Sequence, residues 1–162
     1  MNIILVRHGP AEDVGARPEC RRDADRRLTP AGRRRVAAVA RRLHALEIRP
    51  ARWASSPLCR ALETARLLAA TLEPDADIVS LPALTLDGSL KDLFAWLNEA
   101  PTEDALLVGH QPDLAAFASL CLCGQPGLPL HLRKAGVGIL RSIGLAAPGR
   151  CRLEAWYPPP TG

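Results

Sequence analysis

The sequence has no apolar stretch near the ~20 residues that cross a bilayer as a helix, which excludes a membrane-spanning segment of that kind. Its first apolar run, Ile3-Ile4-Leu5-Val6, is too short for a secretory leader and is cut off by Arg7-His8. The expected location is therefore the cytoplasm. Aromatics are scarce, with three Trp, one Tyr and two Phe. A nucleic-acid surface that stacks bases on interleaved rings is not expected. The five cysteines show no C-x-x-C spacing, and Cys121 and Cys123 fall on different faces of an expected helix. Reduced, mostly buried thiols are expected rather than a zinc or redox centre. No carboxylate cluster suggests a metal, and no cofactor is called for.

Lysine is nearly absent too, at two residues against nineteen arginines. Residues 1–60 carry fourteen arginines against six acids, a surplus of eight. The remainder carries seven basic residues against eleven acids, a deficit of four. Basic chemistry thus gathers in the first half, where it raises the local potential for an anionic substrate. The arginine excess also fits a genome-wide codon bias. Arg33-Arg34-Arg35 and Arg41-Arg42 read as a solvated helix face.

At 162 residues the chain is one domain, residues 1–162, long enough to bury about 68–70% of its unfolded surface. Short apolar runs alternate with helical patterns, which argues for an α/β fold: a three-layer α/β/α sandwich on a mostly parallel sheet. Strands are expected over residues 2–6, 52–55, 77–81, 104–108, 136–143 and 150–157. Helices are expected from Thr29-Pro30 to about residue 47, from Ser56-Pro57 through Leu72, over 89–99 and over 112–121. Thr29 and Ser56 serve as N-caps with proline following, and Ser89-x-x-Asp92 resembles a capping box. The polar loop 10–28 is long enough to be functional.

Two histidines follow apolar runs directly: His8 after residues 3–6, within Arg7-His8-Gly9, and His110 after Leu106-Leu107-Val108-Gly109. Residues just past strand ends face the crevice where open α/β sheets bind ligands. Two imidazoles there, with Arg7 beside the first, suggest a site that handles a phosphoryl group. Further along lie R-x-L-T-x-x-G (Arg26 to Gly32) and S-P-x-x-R-A-x-x-T-A (Ser56 to Ala65). In this order the motifs resemble the histidine phosphatase superfamily, which is phosphoglycerate mutase-like in fold. The short length resembles its small SixA-type phosphohistidine phosphatases. The resemblance covers essentially the whole chain.

It implies that His8 is the nucleophile, forming a phosphohistidine that water then hydrolyses without a metal. A neutral imidazole is a competent nucleophile near neutral pH. The phosphoryl oxygens would be held by Arg7, Arg60 and His110, with Gly9 letting the backbone approach them. Arg26 either joins that set or pins its loop to Asp23 or Asp25. His44 and His131 follow no motif and are read as structural.

The proton donor is less marked. Position 10 is proline, and no long insertion covers the site. Asp87 is the best-placed acid, ahead of Glu12 and Asp13. An imidazole leaving group, with an ordinary pKa of ~6.5, needs little help from an acid, whereas an alkoxide needs a great deal. That favours phosphohistidine on a protein, such as a signalling or phosphotransfer component, as the substrate. A small phosphorylated metabolite or nucleotide is the alternative within the enzymes. A non-catalytic module binding phosphoproteins or anions is the alternative outside them.

Overall fold

The computed structural model describes residues 1–160. In chain order the elements are β1 (Asn2–Arg7), α1 (Pro30–Ala45), β2 (Arg52–Ser55), α2 (Cys59–Leu72), β3 (Ile78–Ser80), α3 (Leu90–Asn98), β4 (Ala105–Gly109), α4 (Asp113–Cys123), β5 (Val137–Ser142) and β6 (Cys151–Tyr157). The strands form one sheet in the order β3-β2-β4-β1-β5-β6. β3, β2, β4 and β1 pair in parallel, and β5 runs antiparallel to both β1 and β6. The expected α/β sandwich is present, with one reversed strand in a mostly parallel sheet.

The alternation of strand side chains builds its two interfaces. Ile4, Val6, Trp53, Leu106 and Val108 face α1 and α2, where they meet Val36, Leu43 and Leu68. Ile3, Leu5, Ala54 and Leu107 face α3 and α4, where they meet Leu93, Leu97 and Phe117. Both faces of β1 and β4 are therefore sealed, as their continuous apolar sequences require. Each fully buried large aliphatic contributes about 1.5–3 kcal/mol. This leaves the carboxyl ends of β1, β2 and β4 as the polar edge.

Thr29 caps α1 as expected, accepting from the Gly32 amide at 2.9 Å, and Ser89 caps α3 through the Asp92 amide at 3.2 Å. The reciprocal carboxylate bond of a full capping box at Asp92 is not formed among the described residues. Ser56 departs from expectation. The helix starts three residues later, with Leu58 in the cap position and no side-chain cap. The Ser56 hydroxyl is engaged elsewhere, by the Leu58 amide at 3.3 Å and by His110. Loop 10–28 holds a short 3-10 turn, Asp23–Asp25, and is pinned by the Ala11–Leu28 bridge. A second 3-10 turn, Pro82–Leu84, follows β3.

Candidate active site

His8 sits one residue past β1, 6% exposed, with its amide donating to the Gly109 carbonyl at 3.1 Å. Its Nδ1 lies 2.7 Å from the Gly9 carbonyl oxygen. A carbonyl only accepts, so Nδ1 carries the proton and Nε2 keeps its lone pair. The Arg60 Nε–H donates to that Nε2 at 3.3 Å. Burial, opposed by the Gly9 bond and reinforced by the positive charges nearby, pushes the imidazole down to about 3. The ring is thus a neutral base with its nucleophilic nitrogen turned toward Arg60.

Arg60 comes from the first turn of α2 and is 3% exposed. Its two terminal nitrogens reach the 3-10 turn of loop 10–28, donating to the Asp23 carbonyl and to Asp23 Oδ2 at 2.8 Å each. Arg26 donates to the other Asp23 oxygen at 2.9 Å and to the Glu12 carbonyl at 2.5 Å. Arg26 therefore pins the loop, and Asp23 links it to Arg60. Burial raises the Asp23 carboxyl, but the hydrogen bonds from Arg26 and Arg60 outweigh it and hold the group below the usual carboxylate range.

His110 follows β4 and lies beside His8, with ring centroids 5.1 Å apart and the rings tilted 54° to each other. Burial and the Arg60 charge push it down to about 4. Its Nε2 lies 2.8 Å from the Ser56 hydroxyl, while its buried Nδ1 has no partner. Leu58 N–H donates to the Ser56 oxygen, and the hydroxyl has no acceptor other than His110 among the described residues, so its proton goes to His110 Nε2. An imidazole accepting it carries its own proton on Nδ1, the unpartnered atom, and offers that N–H to an anion. Arg7 is similar: Nη1 donates to the Leu132 carbonyl at 3.0 Å, and the buried Nε is unpartnered. Unsatisfied buried donors are costly. Two of them on residues that flank His8 fit a bound oxyanion.

Thr64 ties this edge together, accepting from the Gly9 amide at 3.1 Å and donating to the Arg60 carbonyl at 2.7 Å. The Gly9 amide is therefore engaged within the protein. A Cβ at Gly9 would meet Val36 Cγ2 at 2.8 Å, so the glycine serves the packing of the strand end on α1. Gly32 is needed for a related reason. A side chain there would run into the Pro10 carbonyl, which accepts from the Thr29 amide at 3.0 Å.

The expected acids form no hydrogen bond with His8 among the described residues. Asp87 is exposed in a left-handed turn (φ 62°). Among the described residues it makes no hydrogen bond to His8, His110, Arg7 or Arg60. Its neighbour Gly88 does line a small cleft with His110 and Asp113. Glu12 pairs with Arg17 at 2.6 Å, and the Asp13 side chain is 98% exposed. Ser56, Thr64 and Asp23 hold places in the site that the sequence motifs do not assign. Two of them stand inside the S-P-x-x-R-A-x-x-T-A motif, where their spacing was visible but their partners were not. Among the described residues, no three His, Cys, Asp or Glu side chains group as metal ligands. No described helix is long and apolar enough to cross a membrane.

The model of the histidine phosphatase superfamily (branch 1) matches residues 3–85. The chain belongs to this superfamily. It is a phosphatase by that membership, and its fold is SixA-like. An uncharacterized protein of Picosynechococcus sp. is 40% identical over 159 residues, covering 96% of this chain and 90% of that protein. The protein histidine phosphatase SixA, solved with tungstate, superposes with a TM-score of 0.81 at 22% identity, covering 98% of this chain and 97% of that one. A phosphoserine phosphatase of Entamoeba histolytica gives 0.70 at 17% identity, covering 96% of each chain. A mycobacterial glucosyl-3-phosphoglycerate phosphatase gives 0.72 at 20%, covering 97% of this chain and 99% of that one. At these identities the solved structures speak for the fold.

Proposed function

We propose that the chain hydrolyses phosphohistidine on a cytoplasmic signalling or phosphotransfer protein, through a covalent phosphohistidine at His8. The observation that carries the chemistry is the single tautomer at His8, with Nδ1–H fixed on the Gly9 carbonyl and the Nε2 lone pair facing Arg60. Nε2 attacks phosphorus, the bond to the leaving nitrogen breaks, and the departing imidazole takes a proton from solvent. Water then attacks the phosphoenzyme, releasing phosphate and restoring neutral His8. Arg60, Arg7 and His110 neutralise the three equatorial oxygens as charge spreads over them.

The preference for a phosphoramidate rests on the acids. Asp23, the carboxylate joined to Arg60, is held ionised by two arginines and is a poor proton donor. Asp87 stands exposed in its turn. A leaving imidazole tolerates both facts, whereas an alkoxide does not. SixA, the phosphohistidine phosphatase with this fold, supports the same choice.

The test compares a phosphohistidine protein with a panel of alkyl phosphate esters, using wild type and His8→Ala. We expect kcat/KM at least a hundredfold higher on phosphohistidine and no turnover by the variant. Equal rates on both substrate sets would remove the phosphohistidine preference. Binding of p-nitrophenyl phosphate without turnover, unchanged in His8→Ala, would make the site a binding module.

A further inference from the structure

We infer that the substrate is gripped at a second anionic site, a basic groove beside the phosphoryl pocket that takes carboxylates flanking the phosphohistidine. The groove holds about 470 Å³ between Arg7, Arg35, His131, Arg133 and Lys134, with Pro159 and Pro160 of the tail also lining it. Every titratable group on its wall is basic, and it has no Phe, Trp or Tyr. Arg35, Arg133 and Lys134 are exposed and form no ion pair among the described residues.

The groove is built onto the catalytic strand. Its wall segment hydrogen-bonds the end of β1 repeatedly: Arg7 Nη1 to the Leu132 carbonyl at 3.0 Å, and the Ala135 amide to the carbonyls of Arg7 and His8 at 3.1 Å each. Ala135 is fully buried in a left-handed turn (φ 62°), and the Gly136 amide closes that turn on the Arg133 carbonyl at 2.7 Å. Arg133 and Lys134 are therefore carried on a fixed turn, at a set offset from His8. Arg35 reaches the same groove from α1, which draws one member of the arginine run at 33–35 out of the solvated face. His131 likewise belongs to the groove rather than to the structural residues.

Arg7 belongs to both sites, so an anion in the groove lies next to the scissile phosphoryl group. Open, cationic and without stacking rings, the groove suits an acidic peptide segment better than nucleic acid. This inference rests on the phosphohistidine-protein reading for its choice of ligand. Each exposed charge contact is worth a few-fold in affinity, so three together give roughly tenfold discrimination.

The test uses two phosphohistidine peptides, one with glutamates beside the phosphohistidine and one with glutamines. It also uses the unphosphorylated glutamate peptide as an inhibitor of p-nitrophenyl phosphate turnover. Wild type is expected to favour the glutamate substrate about tenfold in kcat/KM at low salt, with the preference shrinking as salt rises. The double variant Arg133→Ala/Lys134→Ala is expected to lose the preference and the inhibition while keeping its rate on p-nitrophenyl phosphate. Inhibition in wild type but not in the variant, with neither phosphohistidine peptide turned over, would keep the groove and remove the phosphohistidine reading. Equal handling of the two peptides together with no inhibition would overturn the groove. So would an equal loss on p-nitrophenyl phosphate, or a single-stranded oligonucleotide that inhibits more strongly than the peptide.

Discussion

Replacing Ser56 by alanine removes one oxygen from a fully buried position and leaves every charge of the site in place. The hydroxyl is the partner of His110 Nε2, at 2.8 Å. Without it the buried Nε2 loses its bond, at a cost of about 1–3 kcal/mol. At roughly 2–4 °C per kcal/mol for a domain of this size, Tm should fall by about 2–12 °C. The consequence for catalysis is more specific. Nothing then holds the imidazole proton on Nδ1, and the other tautomer turns a lone pair toward the phosphoryl oxygens. Complete loss of one such donor costs about 3 kcal/mol in rate. A freely exchanging tautomer retains part of it, so kcat should fall about ten- to a hundredfold. Steady-state kinetics reads the rate, and long-range ¹H–¹⁵N spectra of His110 read the tautomer directly. A folded Ser56→Ala protein with kcat within about twofold of wild type, or a wild-type His110 protonated on Nε2, would refute this reasoning.

The same spectra should show His8 neutral, with its proton on Nδ1, and unchanged between pH 8 and pH 5, since burial holds it near 3; a midpoint near the ordinary 6.5 would contradict the buried site. Because the unfolded chain protonates His8 and His110 at about 6.5 while the folded protein does not, stability should decline as pH falls below 6.5. The slope is up to about 1.4 kcal/mol per pH unit for each histidine, flattening near their folded values. Urea midpoints at pH 7 and pH 5 check this. Asp23→Asn should change stability by no more than about 1 kcal/mol, because the carboxylate is half exposed. It should nevertheless tighten vanadate inhibition about threefold to tenfold, since it frees an Arg60 donor and removes a negative charge. Unchanged or weaker inhibition would show that Asp23 serves only to position Arg60. Gly32→Ala should cost about 1–3 kcal/mol, because its methyl meets the Pro10 carbonyl rather than a flexible side chain. Thermal denaturation reads it, and an unchanged Tm would mean that Pro10 yields freely.

The layers and the sheet were legible because β1 and β4 are continuous apolar runs and the helices keep a clear 3.6-residue stripe. The site was legible where a functional residue directly follows such a run, as His8 and His110 do, or sits in the first turn of a helix, as Arg60 does. What was not legible depends on partners distant in sequence. Ser56 read as a cap from its neighbour Pro57, but its hydroxyl meets a histidine 54 positions away. At Gly9 the sequence does not show that the missing side chain also makes room for Val36. Asp23 was one acid among several in a charged loop, and only folding brings Arg60 and Arg26 onto its two oxygens. The basic groove is a further case. Arg35 and the Arg133-Lys134 pair lie about a hundred residues apart and meet only because the turn before β5 packs on the end of β1.

The most direct test of the account is to trap the phosphoenzyme. Wild-type protein quenched during turnover of a radiolabelled phosphoryl donor should carry label that is acid-labile and alkali-stable, as a phosphoramidate is. Peptide mapping should place it on His8, on Nε2, and His8→Ala should carry none and turn over nothing. Label on another residue, or full turnover by His8→Ala, would contradict the account at its centre.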